Sequence, residues 1–210
     1  MRLRLFVVLL LSAALVIPGD GQYLNSRLKH PQRRINTILV LPAQATVTRF
    51  GFKGSEGLWN ENDRFEDDLT AVVGEELSIR SARVSATPLD QIPTEDRNKL
   101  AEIQRRYDSV EAQILRSPGA VKTGRYSLSD PVAAYGPASS FETLVFVRGK
   151  GELNSLHGRK FTGRLTLVDA RSGEVLAFSQ FTCDSHNWEK SAKELKSHIR
   201  ESLVELAMYL

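Results

Sequence analysis

The chain has 210 residues, of which 41% are hydrophobic and 25% charged. That balance fits a globular protein and excludes a disordered chain or a polytopic membrane protein. Lys and Arg together exceed Asp and Glu by only three, so no specific nucleic acid is expected as a partner. A single cysteine, Cys183, excludes an intrachain disulfide and a four-cysteine zinc site.

The first 21 residues read as a secretory signal peptide. Arg2 and Arg4 give a positive start, Leu5–Ile17 is apolar throughout, and Pro18-Gly19-Asp20-Gly21 breaks the run. A helix over that run spans about 20 Å, short of the roughly 30 Å hydrocarbon core. Cleavage is expected at Gly19 or Gly21, leaving a mature chain that begins near Gln22. No later stretch is apolar enough to span a membrane, so the mature chain is expected to be exported, periplasmic or secreted.

Residues 22–34 include Arg27, Lys29, Arg33 and Arg34 without an acid and predict a basic flexible tether. A single domain is expected over 35–210. Ile35–Leu41 is β-branched and apolar and predicts a buried strand stopped by Pro42. Gln44–Asn62 is polar and glycine-containing and predicts a long loop. Asp63 and Glu66 are spaced as a capping box opening a helix whose inner face is Phe65, Leu69, Val72, Val73 and Leu77. Arg83–Thr87 predicts a short strand. Thr94 is placed to cap a second helix, in which Leu100, Ile103, Tyr107, Val110 and Ile114 form one stripe on an otherwise charged surface.

Ser117–Ser140, rich in Gly, Pro, Ser and Ala, predicts a loop with one short helix near Pro131–Tyr135. Three strands follow as a meander: Thr143–Lys150, Arg159–Asp169 and Glu174–Cys183. In the middle strand Phe161, Leu165 and Leu167 fall on one face and Thr162, Arg164 and Thr166 on the other. Asp169–Gly173 predicts the hairpin turn, with Gly173 supplying positive φ. A last helix from about Asn187 carries Trp188, Ala192, Leu195, Ile199, Leu203 and Leu206 on its inner stripe. The expected class is α+β (mixed α/β), in the order β-α-β-α-β-β-β-α, with a mixed sheet ending in an antiparallel meander packed by helices.

The element order resembles the periplasmic domain shared by the curli secretion protein CsgG, the penicillin-binding-protein activator LpoB and the N-terminal domain of TolB. The residues that carry the resemblance are the strand Ile35–Pro42, the helix Phe65–Ile79 and the strand Leu144–Val147. The hairpin Leu167-Val168-Asp169-Ala170-Arg171-Ser172-Gly173-Glu174-Val175-Leu176 completes it. It implies a fold and a habit of binding other envelope components, and brings no catalytic residues. Two departures stand out: the leader has no lipid-attachment cysteine, and no paired apolar segments could form channel hairpins.

No catalytic residues, cofactor or metal site is expected. Gly51, Gly54 and Gly57 lack the following helix start and Lys-Ser/Thr that a phosphate cradle needs. Cys183, Asp184, His186 and His198 could supply metal ligands, but no spacing fixes His198 beside the others. Glu56, Glu61, Asp63, Glu66, Asp67 and Asp68 form an acidic cluster, for which the dipole of a helix start is sufficient reason. In the meander, Arg148, Lys150, Arg159, Lys160, Arg164 and Arg171 outnumber Glu152 and Asp169. Arg148, Lys150 and Arg164 are therefore the candidate partner-binding residues, on a solvated face suited to an envelope protein or anionic polymer. The expected function is that of an exported, non-enzymatic envelope binding or accessory protein. The alternative is an exported hydrolase with an acidic site near the loop 50–62. A third reading is self-association through the edge of the last strand.

Overall fold

The computed structural model describes residues 21–29, 35–51, 54–57, 59–79, 83–129, 132, 135–154, 158–184, 188, 192–204 and 206. Residues 1–20 of the leader, His30–Arg34 of the expected tether, part of the short helix expected near Pro131–Tyr135 and the possible ligand His186 lie outside these residues.

The strands are β1 (Gly21–Leu24), β2 (Thr37–Val40), β3 (Gln44–Gly51), β4 (Gly54–Gly57), β5 (Arg83–Ala86), β6 (Thr143–Asn154), β7 (Gly158–Asp169) and β8 (Val175–Cys183). The helices are α1 (Trp59–Ser78), α2 (Thr94–Arg116) and α3 (Lys196–Ser202), the last preceded by a 3₁₀ turn over Ala192–Leu195. One mixed sheet holds every strand, in the order β1-β8-β7-β6-β2-β5, with β3 also on β6 and β4 on β3. The meander β6-β7-β8 is antiparallel, whereas β2 and β3 run parallel to β6 and β5 parallel to β2. The class is therefore mixed α/β, as the sequence predicts.

Period-two alternation sends neighbouring residues to opposite faces, and here both faces are covered. Ile38, Val40, Val145, Val147, Phe161, Leu165 and Leu167 pack with Phe65, Leu69, Val72, Val73 and Leu77 of α1 and with Trp188, Leu195, Ile199, Leu203 and Leu206 near the C-terminus. Leu39, Leu41, Leu144, Phe146, Val168 and Phe178 pack with Leu100, Ile103, Tyr107, Val110 and Ile114 of α2. The inner stripes of α1 and α2 are thus those the sequence predicts; the helix expected from about Asn187 is shorter, because α3 holds only Ile199 of the expected stripe, while Trp188, Ala192, Leu195, Leu203 and Leu206 are buried outside it. The hairpin turn also matches: Asp169 Oδ1 accepts from the amides of Arg171 (3.0 Å) and Ser172 (2.8 Å), and Gly173 has φ 71°.

Four other expectations need correction. Gln44–Asn62 is not a loop: its first part forms the hairpin β3–β4, whose Ala45 and Val47 are buried. The described part of the expected tether is ordered instead, because β1 pairs antiparallel with β8 and Leu28 is completely buried. The same pairing covers Ala177–Gln180 of β8, so the edge of the last strand is not open for self-association there. Neither cap forms as expected. Helix α1 begins at Trp59, which places Asp63 and Glu66 inside it, and α2 is preceded by Pro93 with no side-chain cap.

Strands β2 and β3 are two parts of one path along β6, interrupted at Leu41–Ala43. Ile38 lies opposite Thr143 and Gln44 opposite Arg148; six steps on one strand match five on the other, the signature of a bulge. Pro42, which lacks an amide proton, sits where the ladder is already broken. Pro42 therefore marks a bulge within a strand path that continues beyond it.

Candidate functional site

The bulge frees backbone groups, and both flanking helices take them up. Thr70 Oγ accepts from the Ala43 amide at 2.8 Å and donates to the Glu66 carbonyl at 2.8 Å. Glu66 Oε1 accepts from the Ala45 amide at 2.6 Å. From the other side, Gln104 Nε2 of α2 donates to the Pro42 carbonyl at 3.5 Å. Helices α1 and α2 are thereby fixed at opposite sides of a gap in the strand, and a cleft of about 570 Å³ opens between them. Its walls include Pro42–Thr46 of the bulge, Asn62, Asp63 and Glu66 of α1, Leu100, Ala101 and Gln104 of α2, and Arg148 and Arg164 from the meander.

Two of the three candidate partner-binding residues thus lie in this cleft, and not on an open strand face. Arg148 and Arg164 are directly opposite on β6 and β7, where like charges repel unless each is balanced. Helix α2 supplies the balance. Arg148 Nη2 donates to Asp108 Oδ1 at 2.8 Å, and its guanidinium lies 4.9 Å from the Tyr107 ring centre. Arg164 Nε lies 3.4 Å from Glu111 Oε1, close enough for an ion pair but without the direction of a hydrogen bond. Tyr107 is fixed in turn by stacking on Phe146, with centroids 4.2 Å apart, and by a 2.5 Å hydrogen bond with Thr166. The solvated face expected for Arg148 and Arg164 is corrected by α2, which covers that side of the sheet. Lys150 differs: it is exposed and pairs with Glu152 at 2.8 Å.

Burial pushes the carboxyl groups of Glu66 and Glu111 above the usual carboxylate range, against the hydrogen bond from Ala45 in the first case and the attraction of Arg164 in the second. Four residues of the cleft wall each keep a buried polar atom without a hydrogen-bond partner: Asn62 Oδ1, Gln104 Oε1, Arg148 Nη1 and Arg164 Nε. An unmet buried polar group costs about 1–3 kcal/mol, more when charged.

No family model matches the chain. No curated protein matches it either. Among solved structures it is similar to the PelC dodecamer from Paraburkholderia phytofirmans, at 9% identity and a TM-score of 0.44, over 90% of this chain and 96% of that one. It is also similar to lipoprotein GNA1162 from Neisseria meningitidis, at 13% identity and a TM-score of 0.38, over 83% of this chain and 98% of that one. The LpoB C-terminal domain from Salmonella enterica matches at 9% identity and a TM-score of 0.26, over 76% and 90%. No residue role is carried over from any of the three.

The cleft is not legible in the sequence because Pro42 reads as a strand end. Glu66 reads as the acid of a capping box and Thr70 as an ordinary helix position, whereas their bonds to Ala45 and Ala43 depend on the bulge. Among the described residues no group of three or more His, Cys, Asp or Glu could hold a metal ion. No described helix is long and apolar enough to cross a membrane.

Proposed function

We propose that this is an exported, non-enzymatic accessory protein of the cell envelope, which acts by binding and does so through the cleft over the strand bulge. The observation that carries this reading is the pair Arg148–Arg164, two guanidinium groups held on one wall by Asp108, Glu111 and Tyr107. Fixed donors with hydrogen-bonding capacity to spare suit recognition. Export rests on the signal pattern of residues 1–21.

Affinity capture from envelope extract, comparing the mature protein with Ala101→Trp, tests the reading. Ala101 is an exposed position of α2 on the cleft wall, so an indole there fills the cleft without entering the core. Partners retained by the mature protein and lost by the variant support it. Equal retention by both contradicts it.

One observation favours the alternative of an exported hydrolase. Asp63 and Glu66 share the cleft, and the carboxyl of Glu66 is shifted upward by burial, as a general acid requires. Against it, an oxygen of Glu66 is already engaged by the Ala45 amide. Release of reducing ends from envelope glycans, abolished by Glu66→Gln, would establish the hydrolase.

A further inference from the structure

The cleft wall has no single sign of charge. Arg97, Arg148 and Arg164 line it together with Asp63 and Glu66, while Asp108 and Glu111 stand at two of the arginines. Three guanidinium groups stand against four carboxyl groups, so neither sign dominates the wall enough to favour a simple anion or a simple cation. The charges are segregated, however. Arg148 and Arg164 sit side by side on β6 and β7, whereas Asp63 and Glu66 sit one helical turn apart on α1. Arg97 is engaged elsewhere, donating to the Ile92 and Asp90 carbonyls at 2.9 and 3.1 Å.

Between the charged groups lie the two amide side chains with unmet oxygens, Asn62 and Gln104, each more than nine-tenths buried. An amide end can present its oxygen or, turned over, its NH₂ group. The rest of the wall includes the apolar Pro42, Ala43, Ala45, Leu89 and Leu100. A cavity of about 570 Å³ falls within the roughly 300–1,000 Å³ range of small-ligand sites.

We propose that the cleft binds a short peptide with free ends. Its carboxylate is seated by Arg148 and Arg164, its ammonium group by Asp63 and Glu66, and its amide groups by Asn62 and Gln104. A ligand with both charges is the one class that uses both clusters without opposing either. The peptide's own N–H groups answer the two side-chain amide oxygens that the fold leaves unmet. This proposal rests on the reading of the cleft as a binding site and names what that site accepts.

Calorimetric titration of the mature protein with tri-alanine, N-acetyl-tri-alanine and tri-alanine amide tests it. Tri-alanine is expected to bind, and blocking either end is expected to weaken binding at least tenfold. Asp63→Asn, at an exposed helix position, is expected to weaken tri-alanine while leaving the acetylated form unchanged. Arg164→Gln is expected to reduce the penalty for amidation. Circular dichroism of each variant separates lost folding from lost binding, and the blocked peptides test both ends on the unaltered protein. No binding of tri-alanine, equal binding of all three peptides, or binding unaffected by Ala101→Trp overturns the proposal. If tri-alanine fails while envelope capture still depends on Ala101, only the peptide proposal falls. If capture ignores Ala101→Trp, the cleft reading itself falls.

Discussion

Gly151 of β6 lies so close to Trp188 that a Cβ built on the glycine would stand 2.2 Å from the indole Cη2. Trp188 is completely buried and packs on Phe65 and Phe161, at ring-centre distances of 6.0 and 5.2 Å. The strand is thus hollowed at one residue to receive the ring of another. Gly151→Ala is expected to displace the indole and to cost about 1–3 kcal/mol, the range for overpacking a core. Denaturant unfolding measures the loss, and a shift in tryptophan emission reports the displacement. Unchanged stability and emission would mean that the ring is not seated there.

Leu195 is completely buried in the cluster that joins α1, the C-terminal segment and the sheet. Leu195→Ala is expected to cost about 2–5 kcal/mol. A loss below about 1 kcal/mol in equilibrium unfolding would make the C-terminal segment peripheral to the core.

The sequence makes that core legible because apolar spacing needs no knowledge of partners. Trp188, Leu195, Ile199 and Leu206 were readable as an inner stripe, and the turn at Asp169–Gly173 as a turn, from local chemistry alone. The cleft depends on long-range facts. Strand β1 is four residues long and becomes a strand through its pairing with β8. Arg164 lies on the opposite face to Leu165, as alternation requires, yet only the position of α2 determines whether that face meets water or Glu111. Asp63 and Glu66 have the spacing of a cap, but α1 extends upstream to Trp59, and Glu66 serves the bulge instead.

Thr70 holds that bulge with one hydroxyl, which accepts from Ala43 and donates to the Glu66 carbonyl. Thr70→Val keeps the shape and leaves the Ala43 amide unmet. A loss of about 1–3 kcal/mol is expected in denaturant unfolding. Equal stability of variant and parent would show that the bulge does not depend on α1.

Glu76, almost wholly buried on α1, accepts from Arg200 Nε and Nη2 at 3.0 and 3.1 Å and lies 3.4 Å from Lys196 Nζ. The hydrogen bonds from Arg200 hold its carboxyl below the usual range despite burial. Because its folded-state value is depressed, its contribution is complete above the unfolded value of about 4.3 and is lost as pH falls through the folded value. Glu76→Gln is therefore expected to lower stability at neutral pH and to flatten the decline in stability below about pH 5. Parallel pH profiles for variant and parent would contradict this.

The signal pattern predicts that exported material begins near Gln22. Cleavage at Gly19 keeps Gly21, which pairs with Gln180, whereas cleavage at Gly21 shortens β1 by one residue. N-terminal sequencing distinguishes the two, and intact Met1 on a membrane-bound protein would contradict both.

The central claim is that the cleft at the β2–β3 bulge is where this protein binds. Its most direct test is the pair of capture profiles from envelope extract for the mature protein and for Ala101→Trp, at matched thermal stability. The account predicts partners that the mature protein retains and the cleft-filled variant loses. Identical profiles from the two proteins would contradict it.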